Sequence, residues 1–356
     1  MKICILSIVN IKHMPLISLY SSFFDTNHIK YDIIYIDKYN EEEKIAAENI
    51  YRYPIKVNRD WNKIRKFLSY YGFKKYAISI IKKNLYDFII VWKTETALMF
   101  SDFLTNYSNC KYCINIRDYC QERNPFIFLK IRELVYKSNF TTISSEGFKK
   151  FLPQYGYLTI HSFNKDILES CALKGNHDIS LPVHICFIGS IRFIDYCKRI
   201  IDAFKNDQRY ILQFFGENSD ILKQYSNEKG ITNVETYGGF RVEETPQLLN
   251  KADVINNLFG NGNPALDTLL SIRLYYAIYL RMPIIVNTGT YMQQISEKCG
   301  IGFTVDDNSL NDIGDKFYTW LKTLDHNNIN ALCSKFISEI EEKNKEFEKV
   351  LRKTFI

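Results

Sequence analysis

Residues 260–273 combine types that suit an anion. Gly260-Asn261-Gly262-Asn263-Pro264 is poor in side-chain bulk and precedes a run that reads as helix, with Asp267 early and Arg273 further in. A helix start offers unpaired N–H groups and about half a positive charge, and glycines let a phosphate approach the backbone. The alternative is a plain connecting loop with Asp267 in the first turn of a helix, and the sequence leaves both open. A second arrangement is Gly189-Ser190-Ile191-Arg192, where an apolar strand ends and a helix opens. A third is Arg117-Asp118 at the end of the apolar run 111–116. This pair is either a structural ion pair or a site carboxylate able to take a proton. The sequence holds no Asp-x-Asp triplet, and residues 305–307 read as a strand end and turn. No divalent metal and no cofactor is therefore expected; a cationic clamp would do the same electrostatic work.

These segments need strand ends to hold them. In the first half, short runs rich in Ile, Val, Tyr and Phe predict strands at 2–9, 32–37, 87–92, 111–116 and 140–143. Between them helices are predicted near 15–25, 41–50, 61–84, 95–106, 125–137 and 145–152. The alternation restarts at 183. Strands are predicted at 183–191, 210–216, 234–238, 253–259, 283–287 and 302–305, and helices at 195–205, 218–228, 245–252, after residue 263, and at 290–299. Such alternation predicts an α/β chain of two doubly wound, Rossmann-like domains facing a cleft, with ligands at the carboxyl ends of the strands. The expected domains are 1–165 and 183–330, joined by the polar break 166–182 and followed by a charged amphipathic helix at 331–356.

With 356 residues, 46% hydrophobic and 24% charged, the chain is a globular protein of two-domain size. Nine cysteines at irregular spacing, several inside apolar runs, read as reduced and structural, and a zinc site is not expected. The chain starts on a strand with no signal-peptide pattern, and no apolar run reaches the ~18 residues of a membrane span. A cytoplasmic protein, neither secreted nor integral, is expected. Residues 1–165 carry 25 Lys+Arg against 15 Asp+Glu, a net +10, whereas 166–356 carry 21 against 25, a net −4. This asymmetry points to an anionic partner for the first half. Within it, residues 59–83 hold eight basic residues, one acid and six aromatics. The stretch suits an anionic membrane surface, with a solvated helix as the plainer alternative. No nucleic-acid motif accompanies it, so nucleic acid is not an expected partner.

A family resemblance rests on "FIGSIR" at 187–192, "FFGE" at 214–217, "YGGF" at 237–240, "EETPQLLNKADVINNL" at 243–258, "GNGNPALDTLLSIRLYYAIYLRMPIIV" at 260–286 and "TYMQQISEKCGIGFTV" at 290–305. In this order the second half resembles the nucleotide-sugar domain of GT-B glycosyltransferases of the group-1, family 4-like type. More narrowly it looks like bacterial transferases of capsular and surface polysaccharide synthesis. "INIRDY" at 114–119, "TISSEGFKKFLP" at 142–153 and "IHSFN" at 160–164 extend the likeness into the first half. The resemblance implies a UDP-linked sugar donor, a lipid-linked oligosaccharide acceptor, peripheral placement on the inner face of the plasma membrane, and retention of configuration. The chain also departs from the pattern. The two family glutamates fall at Asp267–Thr268 and Tyr276, Ile272-Arg273 stands for an Asn-Lys pair, and Arg281 stands for a glycine. Arg273 keeps the charge and gains a bidentate fork for phosphate.

For such a donor, the resemblance gives the diphosphate to Gly189, Ser190, Arg192 and Arg273, and places Gly216 and Glu217 beside them. Gly239 and Phe240 fall to the base, with a glycine turn and a core phenylalanine as the alternative. Asn261, Asn263 and Asp267 would meet the transferred sugar. Asp118 and Arg273 are the expected catalytic groups. His13, Arg117, Asp118 and Glu146 are the acceptor candidates, Glu146 serving equally well as a capping carboxylate. His161 reads as structural. Two rival readings remain: a GT-B-like nucleotide-sugar epimerase, and a nucleotide-sugar-binding protein without catalysis.

Overall fold

The computed structural model describes residues 1–356 apart from 15–16, 42, 44, 57–62, 108, 162, 164, 175–179 and 307–309, and apart from the side chains of 63–68 and 166. The chain divides into two compact units, one of Met1–His161 with Lys343–Ile356 and one of Ser162–Glu342.

The first unit is built on β1 (Ile3–Ser7), β2 (Tyr31–Asp37), β3 (Asn49–Pro54), β4 (Phe88–Trp92), β5 (Lys111–Ile116), β6 (Phe140–Ile143) and β7 (Leu158–Thr159). All pair in parallel, in the order β3-β2-β1-β4-β5-β6-β7. The central strands β1, β2 and β4 are buried along their whole length, because helices cover both faces. The helices are α1 (Ser18–Thr26), α2 (Lys63–Asn84), α3 (Thr94–Met99), α4 (Ser101–Asn106) and α5 (Pro125–Lys137). One face is an aromatic core in which Tyr20, Phe24, Trp92 and Phe140 meet Phe347, Leu351 and Phe355 from the end of the chain.

The second unit has β8 (Val183–Ile188), β9 (Tyr210–Phe215), β10 (Val234–Tyr237), β11 (Val254–Asn257), β12 (Ile284–Asn287) and β13 (Gly302–Val305). They form a parallel sheet in the order β10-β9-β8-β11-β12-β13. Its helices are α6 (Lys165–Glu169), α7 (Ile194–Ala203), α8 (Ser219–Glu228), α9 (Thr245–Leu249), α10 (Pro264–Thr268), α11 (Ile272–Leu280), α12 (Tyr291–Lys298) and α13 (Ile313–Leu321), followed by α14 (His326–Phe355). In each unit the chain reverses direction beside its first strand, so the switch points lie between β1 and β4 and between β8 and β11.

Several elements depart from expectation. The acid-rich segment 41–50, expected as helix, forms no helix among its described residues and instead enters strand β3, paired to β2. Pairing along a sheet edge overrides local helix propensity there. The helix expected at 95–106 breaks at Phe100, which turns fully into the core. The helix after residue 263 breaks at Leu269-Leu270-Ser271, where the Ser271 side chain caps a new start at Leu274 N. The segment 145–152 tightens to a 3-10 turn over Glu146–Lys150. The C-terminal helix is not a separate body: it starts at His326, and its last turns from Lys343 belong to the first unit. The polar break holds α6, and its residues 175–179 lie outside the described residues. Among the described residues no helix is long and apolar enough to cross a membrane.

Candidate functional site

In the second unit the switch point is occupied by an arginine. Arg273, in the first turn of α11, donates from Nε to Asn257 Oδ1 at 2.8 Å and from Nη1 to the Ile188 carbonyl at 3.2 Å. It thus bridges the carboxyl ends of β11 and β8. Its guanidinium lies 4.1 Å from the Phe187 ring centroid and 5.7 Å from that of Phe259, a cation–π setting. Burial pulls its pKa down to about 10, and no carboxylate among the described residues offsets that cost. Two of the five guanidinium N–H groups are spent on Asn257 and Ile188, which leaves a fixed fork with donors to offer an anion.

The neighbours of Arg273 hold it in place. Asn257, fully buried, also accepts from Ser271 Oγ at 2.8 Å, and its amide nitrogen faces Met292 Sδ at 2.9 Å. One strand over, buried Asn287 accepts from the Phe259 and Gly260 amides at 3.1 Å each and donates to Tyr196 OH at 2.6 Å. These asparagines end their strands and so turn polar groups to the rim where α7 and α11 begin. Glycines bring the backbones together there. Gly216 sits at φ +149°, and a Cβ at that position would fall 2.0 Å from the Gly189 carbonyl oxygen. A Cβ at Gly189, φ +119°, would have Arg273 Nη1 as its nearest neighbour, at 3.7 Å. Gly216 therefore serves the close approach of two strand ends, whereas Ser190, Arg192 and Glu217 are exposed at the same rim.

The loop at 260–267 is largely self-satisfied. Asn263 caps α10 by accepting from Ala265 N at 2.9 Å, Asp267 Oδ1 accepts from Gly262 N at 3.0 Å, and Asn261 Nδ2 donates to the Thr288 carbonyl at 2.8 Å. These side chains hold the loop in shape. Gly239 is exposed, whereas Phe240 leans on the apolar cluster of the second unit. Tyr276 is an aromatic packed against the same cluster, and burial raises its hydroxyl to about 12.

In the first unit the acceptor candidates all follow carboxyl ends of strands. Asp118, two residues past β5, pairs with Lys93 at 3.0 Å, a residue that follows β4 at φ +73°. Arg117 lies with its guanidinium 5.1 Å from the Trp92 ring centroid. His13 Nε2 meets Tyr39 OH at 2.9 Å, and burial together with Lys12, Lys38 and Lys93 lowers its pKa, opposed by Glu43. Glu146 pairs with Lys149 at 2.5 Å and Lys343 at 3.1 Å and accepts a hydrogen bond from Thr159. Burial opposes its charge, but Lys149, Thr159 and Lys343 together hold its carboxyl down at about 2. Glu146 is thus an ion-paired carboxylate tying the 3-10 turn to α14. Lys93, Asn257, Ser271 and Asn287 carry no local sequence signal and come to notice only in three dimensions. Among the described residues no group of three or more His, Cys, Asp or Glu is placed to hold a metal ion.

No family model matches the chain, and no curated protein matches it in sequence. Solved structures do match. Sucrose-phosphate synthase from Thermosynechococcus elongatus aligns at TM-score 0.70 and 10% identity, over 99% of each chain. Anabaena HepE in complex with UDP aligns at 0.66 and 11% identity, over 99% of this chain and 100% of that one. The lipopolysaccharide outer core galactosyltransferase WaaB, in its apo form, aligns at 0.65 and 13% identity over 100% of both chains. At such identities the likeness is one of fold. The chain has the α/β fold of these GT-B glycosyltransferases, with two parallel-sheet, Rossmann-like units.

Proposed function

We propose that the chain is a glycosyltransferase that moves a sugar from a UDP-linked donor to a lipid-linked glycan in surface polysaccharide synthesis. The observation that carries this reading is Arg273: a partly buried cation, held by Asn257 and Ile188, without an offsetting carboxylate among the described residues, at the switch point of a parallel sheet. A nucleoside diphosphate supplies the missing negative charge, and Arg192 and the backbone after β8 can share it. HepE, of like fold, is described in complex with UDP, and WaaB is a galactosyltransferase of lipopolysaccharide, which supports the choice of donor and acceptor. Arg273 would stabilise the departing diphosphate as the glycosidic bond breaks, an electrostatic role that grows along the reaction coordinate. Asp118, held by Lys93, would orient the acceptor hydroxyl. Retention of configuration is supported by the group-1 resemblance alone. The work would be done at the cytoplasmic face of the plasma membrane.

Calorimetric titration with UDP, ADP and GDP, followed by donor hydrolysis without acceptor, tests the reading. Selective UDP binding with slow hydrolysis of a UDP-sugar is expected, and indifference to all three nucleotides would remove it. Hydrolysis should persist in excess chelator; loss restored by Mg2+ or Mn2+ would reject the metal-free clamp. The bond from Gly262 to Asp267 favours one second reading, a nucleotide-sugar-binding protein without catalysis, since it engages the carboxylate that the resemblance gives to the sugar. Binding without hydrolysis or transfer would select it.

A further inference from the structure

The first unit carries an apolar stripe in an unusual place. On α5, Phe126 is 81% exposed, Leu129 48% and Tyr136 60%. Ile131, Leu134 and Val135 already bury the inner face of this helix, so the three outward side chains are not needed for its docking. At spacings of three and ten residues they fall within one outer stripe. Asn124 caps the helix and Pro125 opens it, which fixes Phe126 at its first turn. Tyr136 is held by its hydroxyl to the Gln154 carbonyl at 2.9 Å, whereas Phe126 and Leu129 project freely enough to enter another phase.

The surroundings of the stripe are basic. On α5 itself Lys130, Arg132 and Lys137 face outward, Arg123 precedes the helix, and the one acid, Glu133, is paired to Lys137 at 3.0 Å. Helix α2 lies on the same face, beyond the α3–α4 pair. In the sheet order, the connections β3 to β4, β4 to β5 and β5 to β6 all run in one direction. Right-handed crossovers therefore lay α2, the α3–α4 pair and α5 on one face. Contacts agree: Phe73 of α2 meets Phe100 at 5.8 Å, Lys130 of α5 reaches Asp102 of α4 at 3.2 Å, and Lys137 reaches the Thr105 carbonyl at 3.4 Å. The 22 residues of α2 hold seven Lys and Arg and no acid. Tyr71, Lys75, Lys82 and Lys83 are exposed on it, and Asp102 lies under the influence of both Lys130 and Lys74. Of the α2 aromatics, Phe73 is fully buried, whereas Tyr71 is 44% exposed. Trp61, and the side chains of Lys63, Arg65 and Lys66, lie outside the described residues.

We infer that the outer face of α5 and α2 is a membrane-docking surface, in which Phe126 and Leu129 enter an anionic bilayer while Lys130, Arg132, Lys74 and Lys75 meet lipid phosphates. Charge decides the occupant. A symmetric pairing of two copies through this face would set like charges against each other, whereas an anionic lipid surface complements them. A nucleic acid would satisfy the cations but offers a leucine side chain no apolar phase. Two or more weak attachments together give reversible interfacial binding. The inference rests on the lipid-linked acceptor proposed above, for which it supplies the place of encounter.

The test is co-sedimentation of the full chain with phosphatidylcholine vesicles, with and without phosphatidylglycerol, at low and physiological salt. Calorimetric UDP binding is measured on the same proteins. Wild type should bind only the anionic vesicles, more weakly as salt rises. Phe126→Ser with Leu129→Ser should weaken binding by roughly tenfold, as should Lys130→Gln with Arg132→Gln, both with UDP affinity unchanged. Wild type that ignores anionic vesicles at low salt, or a serine variant that binds them as well as wild type, overturns the surface and leaves the donor reading standing. Vesicle binding by a protein that does not bind UDP upholds the surface and removes the donor reading. Self-association abolished by the serine pair, or capture by a polynucleotide in place of vesicles, also overturns it.

Discussion

Arg273 Nε donates to Asn257 Oδ1 at 2.8 Å, across 16 residues of sequence, and this bond fixes a cation at the rim of the second sheet. An amide is a neutral acceptor. It orients the guanidinium without cancelling its charge, as a carboxylate there would. The same oxygen takes the Ser271 hydroxyl, so the break between α10 and α11 and the aim of the arginine are parts of one arrangement. The break fits the chemistry at that point: a buried strand-end asparagine whose oxygen accepts from both Ser271 and Arg273.

Removal of the cation should therefore cost affinity. Arg273→Ala is expected to weaken UDP binding by about 1.5–3 kcal/mol, the range for hydrogen bonds to charged groups. Arg273→Lys should restore part of it, because the charge stays and the fork is lost. Calorimetry on folded variants measures both. Unchanged affinity in the alanine variant would mean that UDP meets other groups.

The neutrality of Asn257 makes a separate prediction. Asn257→Asp keeps the shape and supplies an ion pair to Arg273 in a partly buried place. Folding should be preserved, while UDP affinity falls by about 1–2 kcal/mol as the clamp is neutralised from within. A variant that keeps both stability and affinity would show that the unpaired charge has no part in binding.

Gly216 and Gly238 lie on the same rim and should respond differently to one methyl group. Alanine at Gly216 would set a Cβ against the backbone of Gly189, at a φ that L residues avoid, whereas at Gly238 nothing lies within 4 Å. Gly216→Ala is expected to cost about 2–4 kcal/mol and to lower the thermal midpoint by several degrees. Gly238→Ala should change it little. Equal midpoints for the two variants would refute the close approach of β8 and β9.

What the sequence made legible follows the physics of burial. Covered parallel strands are largely apolar runs, so 111–116 and 140–143 emerge at their observed limits, and so does the half-buried edge strand 302–305. The helix 125–137 does as well, because Asn124, Pro125 and Ser138 mark its ends locally. The segment 41–50 misleads because its acids suggest a helix, while Glu43 in fact accepts from the Ile11 and Lys12 amides and the chain then joins the edge of the sheet. At the site, Arg273 is legible as a charge in the right element. Asn257 is not, since an asparagine ending an apolar strand shows nothing until the helix packs against it. Exposure is the least legible property: "PFIFL" at 125–129 is an apolar run, yet Phe126 and Leu129 face outward, whereas Phe73 in the basic stretch is buried.

The last prediction concerns acid. His161 is buried, and burial, with Lys343 adding repulsion and Glu146 opposing it, lowers its pKa from 6.5 to about 4. Below pH 6.5 the unfolded chain binds a proton that the folded chain still refuses. Stability contributed by the neutral ring is full above 6.5 and is lost as pH falls toward 4, by up to about 1.4 kcal/mol per pH unit. Glu146 acts in the next window down: its carboxyl is held at about 2 against an ordinary 4.5, so its contribution is full above 4.5 and is lost as pH falls toward 2. The two effects separate by pH. Between 6.5 and 4.5, His161→Gln should flatten the fall in thermal midpoint while Glu146→Gln leaves its slope unchanged. A wild-type midpoint that is flat from pH 6.5 to 4.5, or a glutamine variant at 161 with the wild-type slope, would show that this histidine is not held neutral in the fold.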